Sequence, residues 1–167
     1  MTFPLLPTFR IPCLTDLTAQ MLHKQGIRLL MMDFDNTIVP YTTDIPTEAM
    51  LAWIGEMKNS DIQLCVVSNS HNNRVKIFCE KYGLDCITHA KKPFSKGIRQ
   101  CLDKYGICAS DSALVGDQIY TDTLGANCAG VRSILVQAIH NHNFWLKLRH
   151  IAEMPFIFAS EKRRLVK

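Results

Sequence analysis

The 167-residue chain, 47% hydrophobic and 20% charged, has the size and composition of one folded domain, which excludes disordered and fibrous classes. Its longest apolar run, Ile62–Val67 interrupted by Gln63, falls well short of the ~18 residues that a membrane-spanning helix needs. The net charge of +4 resides near the end: from Asn143 onward six cations (Lys147, Arg149, Lys162, Arg163, Arg164, Lys167) face only Glu153 and Glu161.

In chain order, Leu29–Asp33 reads as a buried strand followed by a proline-containing loop through Asp44. Thr47–Asn59 places Met50, Leu51, Ile54 and Met57 at helical spacing, with Pro46 suited to the first turn. Ile62–Val67 is the second strand. Asn72–Tyr82 gathers Val75, Phe78, Cys79 and Tyr82 on one helical face and stops at Gly83. Leu84–Thr88 is the third strand, and Ser95 is placed to cap a helix that runs to Tyr105 and ends at Gly106. Ala113–Gly116, a helix over Tyr120–Cys128, and Val131–Val136 complete the series.

Such alternation predicts an α/β fold: a Rossmann-like three-layer sandwich around a central, mostly parallel five-stranded sheet. A single domain over residues 1–167 is expected, with the motif-bearing core at about 27–137 and an apolar, basic segment at 143–167. Met1–Leu14 lacks the charged start and apolar run of a secretory signal. The seven cysteines form no C-x-x-C pair, which fits reduced thiols in the cytoplasm.

Ligands of parallel sheets gather beyond the carboxyl ends of the strands. The residues that follow the first four predicted strands are Asp33 and Asp35, Ser68 and Asn69, Lys91 and Lys92, and Asp117. All are polar. Asp33 and Asp35, two apart on an extended chain, face the same way about 6–7 Å from each other. Two such carboxylates at a buried strand end repel unless a cation or ligand is shared. The pair makes chemical sense if one carboxylate holds a metal and attacks phosphorus while the other manages protons. Solvated turn residues are the alternative, disfavoured by the apolar run before the pair.

Asp33-Phe34-Asp35-Asn36-Thr37-Ile38 resembles the first signature of the haloacid dehalogenase superfamily of phosphatases. Leu64-Cys65-Val66-Val67-Ser68-Asn69 resembles the second, Lys92-Pro93 the third, and Leu114-Val115-Gly116-Asp117 with Asp122 the fourth. The order is right across Leu29–Asp122, and the wording with Pro40-Tyr41 is similar to the YqeG-type branch of subfamily IIIA. The mitochondrial relatives of that branch dephosphorylate phosphatidylglycerophosphate. The resemblance implies Asp33 as nucleophile through an aspartyl-phosphate and Asp35 as general acid and base. It implies Mg²⁺ held by Asp33, the Asp35 backbone carbonyl and Asp117. Ser68 and backbone groups near Asn69 would hold the phosphoryl group, and Lys92 would neutralise its charge, with Lys91 as competitor. Thr37, Gly116 and Asp122 would support the site, Asp122 by positioning Asp117 or by facing a helix dipole.

Too few residues separate Thr37 from the Thr47 helix, or Thr88 from Lys92, to hold a large cap domain. Among relatives of this kind, an open site implies a large phosphorylated substrate, a lipid headgroup or macromolecule, or a small molecule if a homo-oligomer closes the site. The basic tail suits RNA or an anionic membrane surface. Apolar Phe144, Trp145, Leu146, Leu148, Ile151, Met154, Phe156, Ile157 and Phe158 either pack on the sheet or dock peripherally at a membrane. His71 and His89 read as solvated loop residues near the motifs, with substrate contact as the alternative. Arg74 reads as an exposed helix start, with an anionic substrate as the alternative partner, and His140 with His142 reads as an incomplete metal pair. The runner-up function is a phosphate-dependent binding or assembly factor with slow or no turnover.

Overall fold

A computed structural model describes residues 4–71, 73–139 and 153–160, together with 163 and 165. Its strands are β1 (Phe9–Arg10), β2 (Leu29–Met32), β3 (Gln63–Val67), β4 (Asp85–Ile87), β5 (Ser112–Gly116) and β6 (Arg132–Leu135). The helices are α1 (Ala19–Lys24), α2 (Glu48–Lys58), α3 (Arg74–Tyr82), α4 (Lys96–Tyr105) and α5 (Leu124–Ala129). The strands pair in parallel in the order β1-β6-β5-β2-β3-β4.

The apolar runs explain the layering. Successive side chains of a strand point to opposite faces, so Leu30, Met32, Leu64 and Val66 join one core with Met50, Ile54 and Met57 of α2 and Val75 and Phe78 of α3. Leu29, Met31, Cys65 and Val67 join a second core with Ile98 and Cys101 of α4 and Ala126 of α5. Every residue of β2 is buried, as expected of a central strand covered on both faces. The result is the predicted three-layer sandwich.

The sheet has six strands rather than five. The unpredicted β1 is only two residues long and lies between Pro7 and Pro12, too short to show a period. It is recruited by long-range partners: Ile11 N donates to Leu135 O at 3.0 Å and Thr8 N to Ser133 Oγ at 3.0 Å. The short α1 was also outside the predicted series; Thr18 caps it through Met21 N. Thr47 caps α2 in the same way, which puts Pro46 just before the helix instead of in its first turn. Ser95 occupies the cap position of α4 without a side-chain capping bond. The predicted Tyr120–Cys128 helix begins as a π turn, Ile119–Thr123, before α5.

Residues 33–47, after β2, hold turns and one isolated bridge, Asp35 to Val39, and no cap domain. Residues 153–159 are helical and pack on the domain. Glu153 is buried, Ile119 N donates to its Oε1 at 3.0 Å, and the Phe156 ring meets Tyr120 edge-on. Arg10 Nη1 donates to Ile157 O, and Leu165 N to Arg10 O. Arg163 donates to Pro7 O, while Phe144, Trp145, Leu146, Leu148, Ile151, His140, His142 and the other five terminal cations lie outside the described residues.

Candidate active site

Because the strands are parallel, the loops after β2, β3, β4 and β5 open at one end of the sheet. Asp33 continues β2 by donating its N–H to Val115 O at 2.9 Å, which fixes its Cα beside β5. Its Oδ1 lies 2.6 Å from Lys92 Nζ, and the same ammonium lies 2.7 Å from Asp122 Oδ1. The Lys92 side chain is 1% exposed. Carboxylate oxygens of Asp33, Asp117 and Asp122 fall within 4.8 Å of one another, all three residues buried. Asp122 is thus a member of the acidic cluster.

Two local devices bring Asp122 there. The π turn directs it back toward β5, where its Oδ2 accepts Gln118 N–H at 3.1 Å. Gly116 supplies the space: a Cβ at that position would overlap the Asp122 carboxylate.

Lys92 is placed by Asn69. The Asn69 amide donates from Nδ2 to Lys92 O at 2.9 Å and accepts Lys92 N–H on Oδ1 at 2.7 Å. Ser68, also buried, accepts Ser70 N–H on its Oγ, and its carbonyl accepts Ala90 N–H. The side chain of Lys91 is exposed, its backbone at φ 56°. Asn36 and Thr37 are buried beneath the loop; Asn36 Nδ2 and Oδ1 and Thr37 Oγ1 have no hydrogen-bond partner among the described residues.

The Asp35 carboxylate stands apart from the three-acid cluster. Its Oδ1 accepts a hydrogen bond from Arg74 Nη1 at 2.9 Å; Arg74, expected as an exposed helix start, is only 20% exposed. A pocket of about 130 Å³ lies between these groups, bordered by Asp33, Asp35, Ser68, Asn69 and Lys92. Tyr41, Ser70, Gln118 and Thr121 complete the border; Tyr41 belongs to the Pro40-Tyr41 wording of the resemblance, and Gln118 and Thr121 flank predicted acids in the same turn. His71 and His89 meet edge-on with ring centroids 4.3 Å apart.

Burial pushes the Asp33 carboxyl up to about 7; Lys92 pulls it down and Asp122 pushes it further up. Burial lowers the Lys92 ammonium, but Asp122 and Asp33 outweigh it and hold it above the ordinary lysine range. Burial also raises Asp35, with Arg74 opposing. A carboxyl held above its ordinary range keeps a proton to donate nearer neutrality. The donor set of the cluster is all oxygen, as hard divalent cations prefer, and a cation would relieve the mutual repulsion of three close carboxylates. The residues present therefore fit a hard divalent cation.

Residues 3–139 match the family model described as mitochondrial PGP phosphatase. The protein named "Probable phosphatase YqeG" in Bacillus subtilis (strain 168) is 32% identical over 131 residues, 78% of this chain and 76% of that protein. Among solved structures, the cobalt-bound deoxy-D-mannose-octulosonate 8-phosphate phosphatase YrbI of Haemophilus influenzae has a TM-score of 0.55 at 15% identity, covering 86% of this chain and 94% of that one. A HAD-superfamily hydrolase of Ehrlichia chaffeensis has a TM-score of 0.53 at 15% identity, over 78% and 98% of the two chains. At such identities the two structures speak for the shared fold.

Proposed function

We propose that this chain, which belongs to the mitochondrial PGP phosphatase family of haloacid dehalogenase-like phosphatases, attacks a phosphomonoester with the Asp33 carboxylate. The observation that carries the reading is the Lys92 ammonium lodged between Asp33 and Asp122, within a cluster of three buried carboxylates bordering a small pocket.

Asp33 Oδ forms a bond to phosphorus as the bond from phosphorus to the leaving oxygen breaks, giving an aspartyl-phosphate. Asp35 donates its proton to the leaving oxygen. It then takes a proton from the water that attacks phosphorus and releases Asp33 and inorganic phosphate. Acid–base help of this kind contributes typically about 10²–10⁴-fold in rate. Lys92 stabilises charge on the phosphoryl oxygens, and Ser68 with backbone N–H groups near Asn69 orients them. Asp33, Asp117 and the Asp35 carbonyl would hold Mg²⁺, with Asp122 beside them. When bound, the ion supplies positive charge that lets an anionic carboxylate approach an anionic phosphate. Cobalt in the Haemophilus influenzae phosphatase supports a divalent ion in this fold.

The substrate class we favour is a phosphomonoester lipid headgroup, phosphatidylglycerophosphate by the family's description. A pocket of about 130 Å³ suits the phosphoryl end of a substrate whose remainder stays outside. No helix among the described residues is long and apolar enough to cross a membrane. The test is Mg²⁺-dependent phosphate release from phosphatidylglycerophosphate in mixed micelles and from p-nitrophenyl phosphate, with Asp33→Asn alongside. Release by the unaltered protein and its loss in Asp33→Asn are expected. Equal release by both proteins would overturn the assignment.

A further inference from the structure

Resting on the reading of Asp35 as acid and base, we infer that Arg74 positions that carboxylate and ties it to the loop over the pocket. The guanidinium is a three-way clamp. Its Nη1 donates to Asp35 Oδ1 at 2.9 Å, its Nε to Asp44 Oδ1 at 2.6 Å, and its Nη2 to Thr43 O at 3.3 Å. Its charge also lies over an aromatic ring: Arg74 Cζ lies 5.1 Å from the centroid of Phe34, which is buried and packed edge-on against Phe78 of α3. Arg74 is the first residue of α3, and the next residue, Val75, is fully buried. The clamp is therefore anchored to a helix that cannot shift without disturbing the core.

Three donors in different directions over an aromatic ring are a task for arginine. A lysine offers one point charge and no plane. The loop so held carries Tyr41, which borders the pocket. Asp44 is half exposed, whereas the Arg74 and Asp35 side chains are only 20% and 15% exposed, so the bridge runs from the surface inward to the acid. One cation already faces two carboxylates here, which argues against Arg74 as a ligand for the substrate phosphate. Its work is orientation: it keeps Asp35 aimed where a leaving oxygen departs while leaving the attack by Asp33 untouched.

That division of labour gives a distinctive signature. An alkyl leaving group such as that of glycerol 3-phosphate needs a proton as it departs, whereas p-nitrophenolate leaves without one. Arg74→Ala is expected to lower kcat on the alkyl phosphate at least about tenfold more than on p-nitrophenyl phosphate, a fraction of what acid catalysis is worth. Arg74→Lys should recover part of that ratio, and Asp44→Ala should produce a smaller change. A separate readout needs no turnover. Hydrogen exchange at Thr43 and Ile45, whose N–H groups donate to Pro40 O and Thr43 Oγ1, should accelerate in Arg74→Ala and Asp44→Ala while the β3 amides stay protected. Equal loss on both substrates, or unchanged exchange in the loop, would overturn the clamp. If the unaltered protein hydrolysed neither substrate, the phosphatase chemistry would fail, and the exchange measurement alone would decide whether Arg74 holds the loop.

Discussion

Asn69 and Lys92, on loops that follow different strands, are joined by a closed pair of hydrogen bonds: Asn69 Nδ2 to Lys92 O at 2.9 Å and Lys92 N to Asn69 Oδ1 at 2.7 Å. The amide thus acts on the lysine backbone, and the lysine ammonium reaches Asp33 from a fixed origin. Asn69→Ala should remove both bonds at a cost of about 1 kcal/mol each, read as a shift in the denaturant midpoint. Turnover should fall more than stability explains. Asn69→Asp, which keeps the acceptor and loses the donor, should lie between. A variant with unchanged turnover would show that the ammonium finds its place without this pair.

The acidic cluster makes a prediction that does not depend on turnover. A ligand that binds only the folded protein stabilises it, by about 2.7 kcal/mol at 100 times its Kd. For a domain of this size each kcal/mol moves the melting temperature by about 2–4 °C. Mg²⁺ should therefore raise the melting temperature, and Asp117→Asn or Asp122→Asn should diminish the rise, because both carboxylates lie within reach of an ion beside Asp33. A rise of the same size in both variants would place the ion elsewhere.

At the opposite end of the sheet, Asp85 gives a pH dependence of stability. Lys104 Nζ lies 2.8 Å from its Oδ1 and the Tyr105 hydroxyl 2.6 Å from its Oδ2. The hydrogen bond from Lys104, then that from Tyr105, hold the carboxyl below its ordinary range in the folded protein. A depressed carboxyl contributes stability above its unfolded pKa of about 3.9 and loses it as pH falls through the lower folded value. The acid limb of the melting curve should therefore flatten in Asp85→Asn. Both partners are about half exposed, so the effect is small and salt should weaken it further. An acid limb of equal steepness in the variant would contradict the assignment.

Legibility differed with the range of the interactions. Asp33, Ser68, Lys92 and Asp117 follow apolar runs, and a parallel sheet carries whatever follows its strands to one end; that much is local pattern plus topology. β1 escaped because its pairing partners, Ile134 and Leu135, are more than a hundred residues away and its own two residues carry no period. Arg74 escaped because its exposure depends on Asp44 and Phe34, which approach it only through the fold. The close approach of Asp122 needed the π turn, whose extra residue per turn leaves no mark in the spacing of apolar positions.

The described part of the terminal segment contributes to the site through Glu153. This buried acid accepts the Ile119 N–H at 3.0 Å on Oε1, at the opening of the turn that ends with Asp122 against β5. Removing the acceptor leaves a buried N–H without that partner, which costs about 1–3 kcal/mol. Glu153→Ala should therefore lower stability and weaken the Mg²⁺-induced rise in melting temperature, because the turn that presents Asp122 loses its anchor. Glu153→Gln keeps a carbonyl acceptor and should restore most of both. If Glu153→Ala lost stability but kept the full response to Mg²⁺, the terminal segment would brace the fold without shaping the acidic cluster, and Asp122 would owe its position to Gly116, Gln118 and Lys92.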